Sequence, residues 1–182
     1  MWRGRRIQVP ARRAVRPTPN RVRETLFNWL GQRLDGRTCL DLFAGSGALG
    51  FEAASRGAAR VVMVERDRAV AAALERTRDA LGARAVEIVC ADALAWITHA
   101  RERFDVVFLD PPFGHNLLPA LLERLAPLAA HGTWLYVEAA APVRAPAPWR
   151  ERRRGAAGQV SYQLLRWNDG DGDDQGGISG HV

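Results

Sequence analysis

A chain of 182 residues that is 47% hydrophobic and 25% charged has the size and balance of one globular domain around a single core. No apolar run approaches the roughly 20 residues of a membrane span, and Met1-Trp2-Arg3-Gly4-Arg5-Arg6 leads into no signal-peptide stretch, so a cytoplasmic protein without a membrane partner is expected. The formal charge is +6 and all 26 basic residues are arginine, a bias that genome composition alone can produce, so the position of the arginines is more informative than their number.

From the N-terminus, Arg3, Arg5, Arg6, Arg12, Arg13, Arg16, Arg21 and Arg23 all precede the first acidic residue, Glu24. Guanidinium forks pair with phosphate oxygens and displace condensed counterions, so a basic arm over 1–17 suits nucleic acid; a solvated leader is the bland alternative. Thr18-Pro19 offers an N-cap followed by proline at the first helical position. Val22, Leu26, Trp29, Leu30 and Leu34 then recur at helical spacing, which predicts an amphipathic helix ending near Asp35-Gly36. Strands are predicted over 38–43, 60–65, 85–90, 105–109 and 133–138, with helices over about 47–56, 68–81, 93–101 and 117–129 between them. This alternation predicts a parallel sheet covered by helices on both faces.

Residues 149–154 and 159–167 read as two antiparallel strands at one sheet edge, joined by a Gly155-Ala156-Ala157-Gly158 turn. The last segment, 168–182, is rich in Gly and Asp and is expected to be a disordered tail. Its Asp169, Asp171, Asp173 and Asp174 lack the order and closing glutamate of a calcium loop, so no metal site is expected. Cys39 and Cys90 lie inside apolar strand-like runs, where buried inert thiols are expected rather than metal ligands or nucleophiles.

The first strand runs into Asp41-Leu42-Phe43-Ala44-Gly45-Ser46-Gly47-Ala48-Leu49-Gly50, a formal G-x-G-x-x-G between strand and helix. Glycines there let backbone N–H groups approach a ligand, and the helix N-terminus adds a partial positive charge. Glu65 closes the next strand, 20 residues after Gly45, where a carboxylate can accept both hydroxyls of a ribose. A nicotinamide or flavin dinucleotide and S-adenosylmethionine compete for such a pattern. Asp41 favours the sulfonium cofactor, because a carboxylate beside the turn holds an ammonium and repels a pyrophosphate. Asp92 closes the third strand, where its neighbourhood can read an adenine amine. The candidate cofactor residues are therefore Asp41, Phe43, Ala44, Gly45, Ser46, Gly47, Glu65, Arg66, Asp92 and Ala93.

The fourth strand ends in Asp110-Pro111-Pro112-Phe113, the candidate catalytic turn. In a doubly wound sheet the carboxyl ends of the strands carry the site. An exocyclic amine on a nucleobase is a poor nucleophile because its lone pair is delocalised into the ring. Acceptors aimed at its hydrogens localise that pair as a methyl group moves in line from sulfur to nitrogen, and no metal is needed. Asp110 offers a carboxylate and Pro111 a carbonyl, while proline fixes φ and holds the preceding residue extended. Phe113 offers a face on which a base can stack, worth roughly 1–3 kcal/mol, so the target is expected to be unpaired or flipped out. The bland alternative is a strand-ending proline turn with a buried Phe.

These two turns, together with Trp2-Arg3-Gly4-Arg5, Arg16-Pro17-Thr18-Pro19-Asn20-Arg21-Val22-Arg23-Glu24, Tyr136-Val137-Glu138 and Gly158-Gln159-Val160, resemble the RsmD-type methyltransferases, which make N2-methylguanine in small-subunit ribosomal RNA. The resemblance runs in order over nearly the whole chain before the tail. Its most discriminating parts are the Arg-Val-Arg-Glu helix and the Trp-Arg-Gly-Arg segment. It implies an α/β fold, a Rossmann-like seven-stranded class I S-adenosylmethionine-dependent methyltransferase sheet over 18–167, with a short N-terminal extension over the RNA side. It also implies that Thr18 to Glu24 sit beside the methionine end of the cofactor, which adds Thr18 and Arg21 to the cofactor set. Arg3, Arg5, Arg6, Arg12, Arg13 and Arg23 become the RNA contacts. Gly114-His115-Asn116 departs from the basic residue that the family tends to carry after D-P-P-F.

The implied reaction is methyl transfer to the exocyclic N2 of a guanine in small-subunit (16S) ribosomal RNA, by a monomer acting on the RNA or the assembling subunit. An adenine-N6 methyltransferase on DNA or RNA would use the same turn and cofactor, although this short chain leaves no room for a separate sequence-reading domain. A ribosome-assembly factor that binds RNA without turnover is the non-enzymatic alternative, against which Asp110 and Glu65 argue. A nicotinamide oxidoreductase is third.

Overall fold

The computed structural model describes residues 20–112 and 117–168. The basic arm 1–17, the Thr18-Pro19 cap, Phe113, the 114–116 departure and the tail from 169 onward lie outside the described residues.

Helix α1 (Asn20–Leu30) leads into β1 (Thr38–Asp41), α2 (Ala48–Ser55), β2 (Arg60–Glu65), α3 (Arg68–Leu81), β3 (Val86–Cys90), α4 (Ala93–His99), β4 (Val106–Leu109) and α5 (Leu118–Arg124). A 3-10 turn (Ala126–Leu128), β5 (Trp134–Ala139), β6 (Trp149–Ala157) and β7 (Val160–Trp167) complete the described chain. The strands form one seven-stranded sheet in the order β3-β2-β1-β4-β5-β7-β6. Strands β1 to β5 are parallel, and β7 runs antiparallel between β5 and β6. The chain winds outward from β1 to β3 and then crosses back to β4, so the winding reverses between β1 and β4. A crevice opens at the carboxyl ends of strands where such a reversal occurs.

Alternate side chains of the central strands enter two cores. Cys39, Val61, Met63, Val106, Phe108 and Tyr136 meet α1, α2 and α3 on one face; Leu40, Val62, Val64, Val107, Leu109 and Leu135 meet α4 and α5 on the other. Burial on both faces is why these strands read as continuous apolar runs rather than alternating ones. Helix α1 lays Val22, Leu26, Phe27 and Leu30 onto the first face, with the Phe27 ring centroid 5.9 Å from that of Phe108 and Trp29 5.4 Å from Tyr162.

Four expectations are corrected. Helix α1 ends at Leu30 instead of near Asp35, because Gly31 takes φ 84, outside helical space; Leu34 is still buried, its N–H donating to the Arg56 carbonyl at 2.9 Å. The helix predicted over 117–129 stops at Arg124 and continues as a 3-10 turn, since Pro127 has no N–H to donate and its ring collides with the preceding helical turn. In the C-terminal hairpin, Gly155, Ala156 and Ala157 belong to β6, and the connection is only Gly158-Gln159. The two cysteines also part ways. Cys39 is buried and burial pushes its thiol up to about 12, whereas Cys90 is exposed because β3 is a sheet edge.

Candidate active site

Sheet register brings the acids of the sequence pattern to one edge. Asp41 pairs with Met63 on β2 and with Phe108 on β4, and Glu65 pairs with Cys90 on β3. Glu65 and Asp110 therefore lie two residues beyond the partners of Asp41, and Asp92 two beyond the partner of Glu65. Phe108 also accepts the Leu42 N–H at 3.2 Å, so the glycine turn and the proline turn leave the sheet from hydrogen-bonded neighbours.

The glycine turn is fixed from below and from the side. Asp41 is 2% exposed, and its Oδ2 accepts the Gly50 N–H at 3.1 Å, tying the end of β1 to the first turn of α2. Burial pushes its carboxyl up to about 7, against the lowering effect of the Gly50 and Phe43 backbone N–H groups. Glu65 is half-buried; Oε2 accepts the Gly45 N–H at 3.0 Å and Oε1 the Asp67 N–H at 2.8 Å. The turn is thus clamped to the end of β2 by the very acid expected at the ribose. Ala44 adds a backbone bond to the Val64 carbonyl at 3.0 Å. Gly47 caps α2 at φ 78, and a Cβ there would stand 2.7 Å from the Leu74 and Phe51 side chains. Only glycine lets the loop lie this close to α2 and α3.

Each remaining candidate has a definite place. Phe43, Gly45 and Ser46 are half-buried on the loop, and Arg66 is exposed just past Glu65. Asp92 is exposed and caps α4, its Oδ1 accepting the Ala95 N–H at 3.1 Å; Ala93 begins that helix and is buried. Asp110 is half-buried at the end of β4, Pro111 is buried and Pro112 exposed. Arg21 is exposed on the first turn of α1, and Arg23 donates to Asn20 Oδ1 at 3.2 Å. The structure brings Asp41, the glycine turn, Glu65 and Asp110 together. Thr18, Phe113 and the arm arginines lie outside the described residues.

One acid was not singled out for the site by sequence reasoning. Glu138, 4% exposed near the end of β5, accepts the Tyr136 hydroxyl at 2.8 Å, and burial together with Glu138 and Asp110 pushes the Tyr136 phenol up. Tyr136 pairs with Phe108, one strand from Asp110. The signal was present in the sequence, because Glu138 closes an apolar strand just as Asp41, Glu65 and Asp110 do.

The donor set fits an adenosine-bearing cation. A carboxylate has about four lone-pair sites, so Glu65 keeps acceptor capacity for two ribose hydroxyls beyond its two backbone bonds. Among the described residues no group of three or more His, Cys, Asp or Glu side chains is placed to hold a metal ion, and no helix is long and apolar enough to cross a membrane.

Comparison with known proteins agrees with this geometry. The family model described as "Conserved hypothetical protein 95" matches residues 1–166. The ribosomal RNA small subunit methyltransferase D of Escherichia coli (strain K12) is 41% identical over 174 residues, covering 91% of this chain and 86% of that protein. The protein of the same name from Haemophilus influenzae is 39% identical over 178 residues, covering 91% and 90%. Among solved structures, the putative methyltransferase yhhF from Escherichia coli superposes with a TM-score of 0.84 at 41% identity, covering 92% of this chain and 95% of that one.

Proposed function

Because the chain belongs to the small-subunit ribosomal RNA methyltransferase D family, we propose that it transfers a methyl group from S-adenosylmethionine to the exocyclic N2 of a guanine in small-subunit ribosomal RNA. Methylation of ribosomal RNA with this cofactor follows from the family; guanine N2 rather than adenine N6 rests on the RsmD-type resemblance, and the site itself supports an exocyclic base amine as the acceptor. The observation that carries it is the placement of Asp110-Pro111-Pro112 at the end of β4, beside the glycine turn and Glu65, where a planar amine meets acceptors and no metal is required.

Bound S-adenosylmethionine supplies a methyl group made electrophilic by its sulfonium. Glu65 accepts the ribose hydroxyls and, through Gly45, fixes the loop against them. Asp41 lies under the loop with its carboxylate turned to Gly50, so it acts on a methionine ammonium through water and through the loop it holds. In this reading Thr18 and Arg21 serve the methionine end of the cofactor, Asp92 and Ala93 the adenine end, and Arg66 assists beside Glu65. The Asp110 carboxylate accepts one amine hydrogen and the Pro111 carbonyl the other, which localises the nitrogen lone pair. The Asp110 carboxylate would take up the proton that the amine loses on accepting a methyl group. Phe113 stacks on the target base, and Arg3, Arg5, Arg6, Arg12, Arg13 and Arg23 grip RNA phosphates. Acting on ribosomal RNA, the protein works in the cytoplasm.

The test is to incubate the protein and radiolabelled cofactor with small-subunit RNA and with subunits that lack the modification, then digest and identify the labelled nucleoside. N2-methylguanosine is the expected product. N6-methyladenosine would overturn the choice of base, and no transfer to any RNA would overturn the enzymatic reading.

A further inference from the structure

Strand β6 carries Arg150, Arg152, Arg153 and Arg154 within five consecutive positions, all five exposed, on a strand that among the described residues pairs only with β7. The single acid among them, Glu151, is consumed locally: it takes Arg154 Nη2 at 2.8 Å and Gln163 Nε2, and Arg154 holds its carboxyl below the usual range. A register shift between Glu151 and Arg153 bulges the strand and inserts Arg152 as the extra residue. Gln163 also pins the preceding loop, accepting the Val143 N–H at 2.6 Å, and exposed Arg144 follows directly.

The place of this strip decides its reading. Strand β6 runs in the same direction as β5, because each is antiparallel to β7, so its end at Ala157 points to the sheet edge where Asp110 lies. From Arg150 to Arg154 the strand advances three ladder positions, about 10 Å, toward that edge. There it meets an open cleft of about 950 Å³ lined by Pro142, Arg154, Gly155, Gln159 and Ser161, among others. One or two charges suffice to stop an edge strand from pairing with another chain. Four arginines against one acid leave a net charge of +3 over five exposed positions, which exceeds that need and matches a polyanion that reaches the catalytic edge from the side of β5.

We propose that the exposed edge of β6, Arg150, Arg152, Arg153 and Arg154, is a second contact for the RNA sugar-phosphate backbone, leading into the cleft beside the catalytic edge. This rests on the reading of the protein as an RNA methyltransferase. The strip positions RNA and takes no part in the chemistry.

The test titrates salt against binding of small-subunit RNA that lacks the modification, for the parent, a triple variant Arg150→Gln/Arg152→Gln/Arg153→Gln, and the matching triple lysine variant. Removing three arginine–phosphate pairings, at a slope of about −0.7 each, should make the glutamine variant bind about tenfold more weakly and flatten its salt slope by about two. The lysine variant should keep the parent slope. S-adenosylhomocysteine affinity should be unchanged in both, and kcat at saturating RNA should stay within about twofold, as expected when uniform binding is weakened. Ultraviolet crosslinking of the parent to RNA, with peptide mapping, should place adducts within 150–154 and decides the matter if the glutamine variant loses cofactor binding.

Equal affinity and slope in parent and glutamine variant, or adducts confined to other peptides, would overturn the proposal alone. So would weaker binding to subunits with unchanged binding to naked RNA, which would assign the strip to a protein partner. A parent that binds no RNA would overturn both the strip and the function it rests on.

Discussion

Asp41, Glu65 and Asp110 each close an apolar strand, yet their surroundings give them separate work. Glu65 faces the crevice while holding the Gly45 N–H, so Glu65→Ala should weaken S-adenosylhomocysteine binding by about 1.5 to 3 kcal/mol, the range for hydrogen bonds to a charged group. Asp110 addresses the substrate amine. Asp110→Ala should nearly abolish methyl transfer and leave cofactor affinity within a few fold, as read by calorimetry beside a transfer assay; the reverse pattern in the two variants would exchange their roles. Asp41 is the one of the three whose burial carries a pH signature. Its carboxyl ionises near 3.8 in an unfolded chain and at about 7 in the fold. Between those values the folded chain holds more protons, so the stability due to this group is full below pH 4 and is lost as pH rises through 7. Asp41→Asn keeps an acceptor for the Gly50 N–H and removes the titration. Its stability relative to the parent, from denaturant unfolding, should therefore improve steadily from pH 4 to pH 8, and a constant difference over that range would contradict the burial argument.

Among the helices and strands, α1 joins the described sheet to the basic arm that precedes it, and one ring fastens it. Phe27 is fully buried, packs on Phe108 of β4 and carries the Arg56 guanidinium 4.6 Å from its centroid. Phe108 lies two residues before Asp110, so the docking of α1 and the aim of the catalytic turn share a contact. Phe27→Ala should cost about 3 to 5 kcal/mol of global stability in guanidinium unfolding and lower turnover at temperatures where the parent is fully folded. A loss under 1 kcal/mol would show that α1 is not part of the cooperative core. The strand and helix order was legible because apolar runs of strand length alternate with helical periodicity from Thr38 to Ala139. The ends were less so. Gly31 stops α1 although Leu34 keeps the apolar spacing going, because burial of Leu34 is met by a loop bonded to Arg56 and not by a further turn of helix. Pro127 carried a readable signal, a missing donor, that apolar spacing over 117–129 obscured.

Over the protein as a whole, the site acids converge from several strands, whereas arginine is spread along the chain with a concentration on β6. The acids gather at the carboxyl ends of β1, β2, β4 and β5, while arginines lie before α1 in the sequence and along the far edge on β6. Local chemistry was enough to dictate the doubly wound class, the glycine turn, the proline turn and the acid that answers the turn 20 residues on. Each follows from φ freedom at glycine, a fixed φ at proline, or a carboxylate where a strand stops. What those groups touch depended on the folded arrangement. Strand order set Asp41 against Phe108 and so placed two turns, distant in the chain, side by side. Burial turned Asp41 inward to Gly50, and the edge position of β3 left Cys90 exposed where its apolar neighbours predicted a buried thiol. The insertion of β7 between β5 and β6 made the arginine strand an outer edge. Periodicity reports which side of a strand is apolar, but strand order, set by long-range pairing, determines which strand is left without a neighbour.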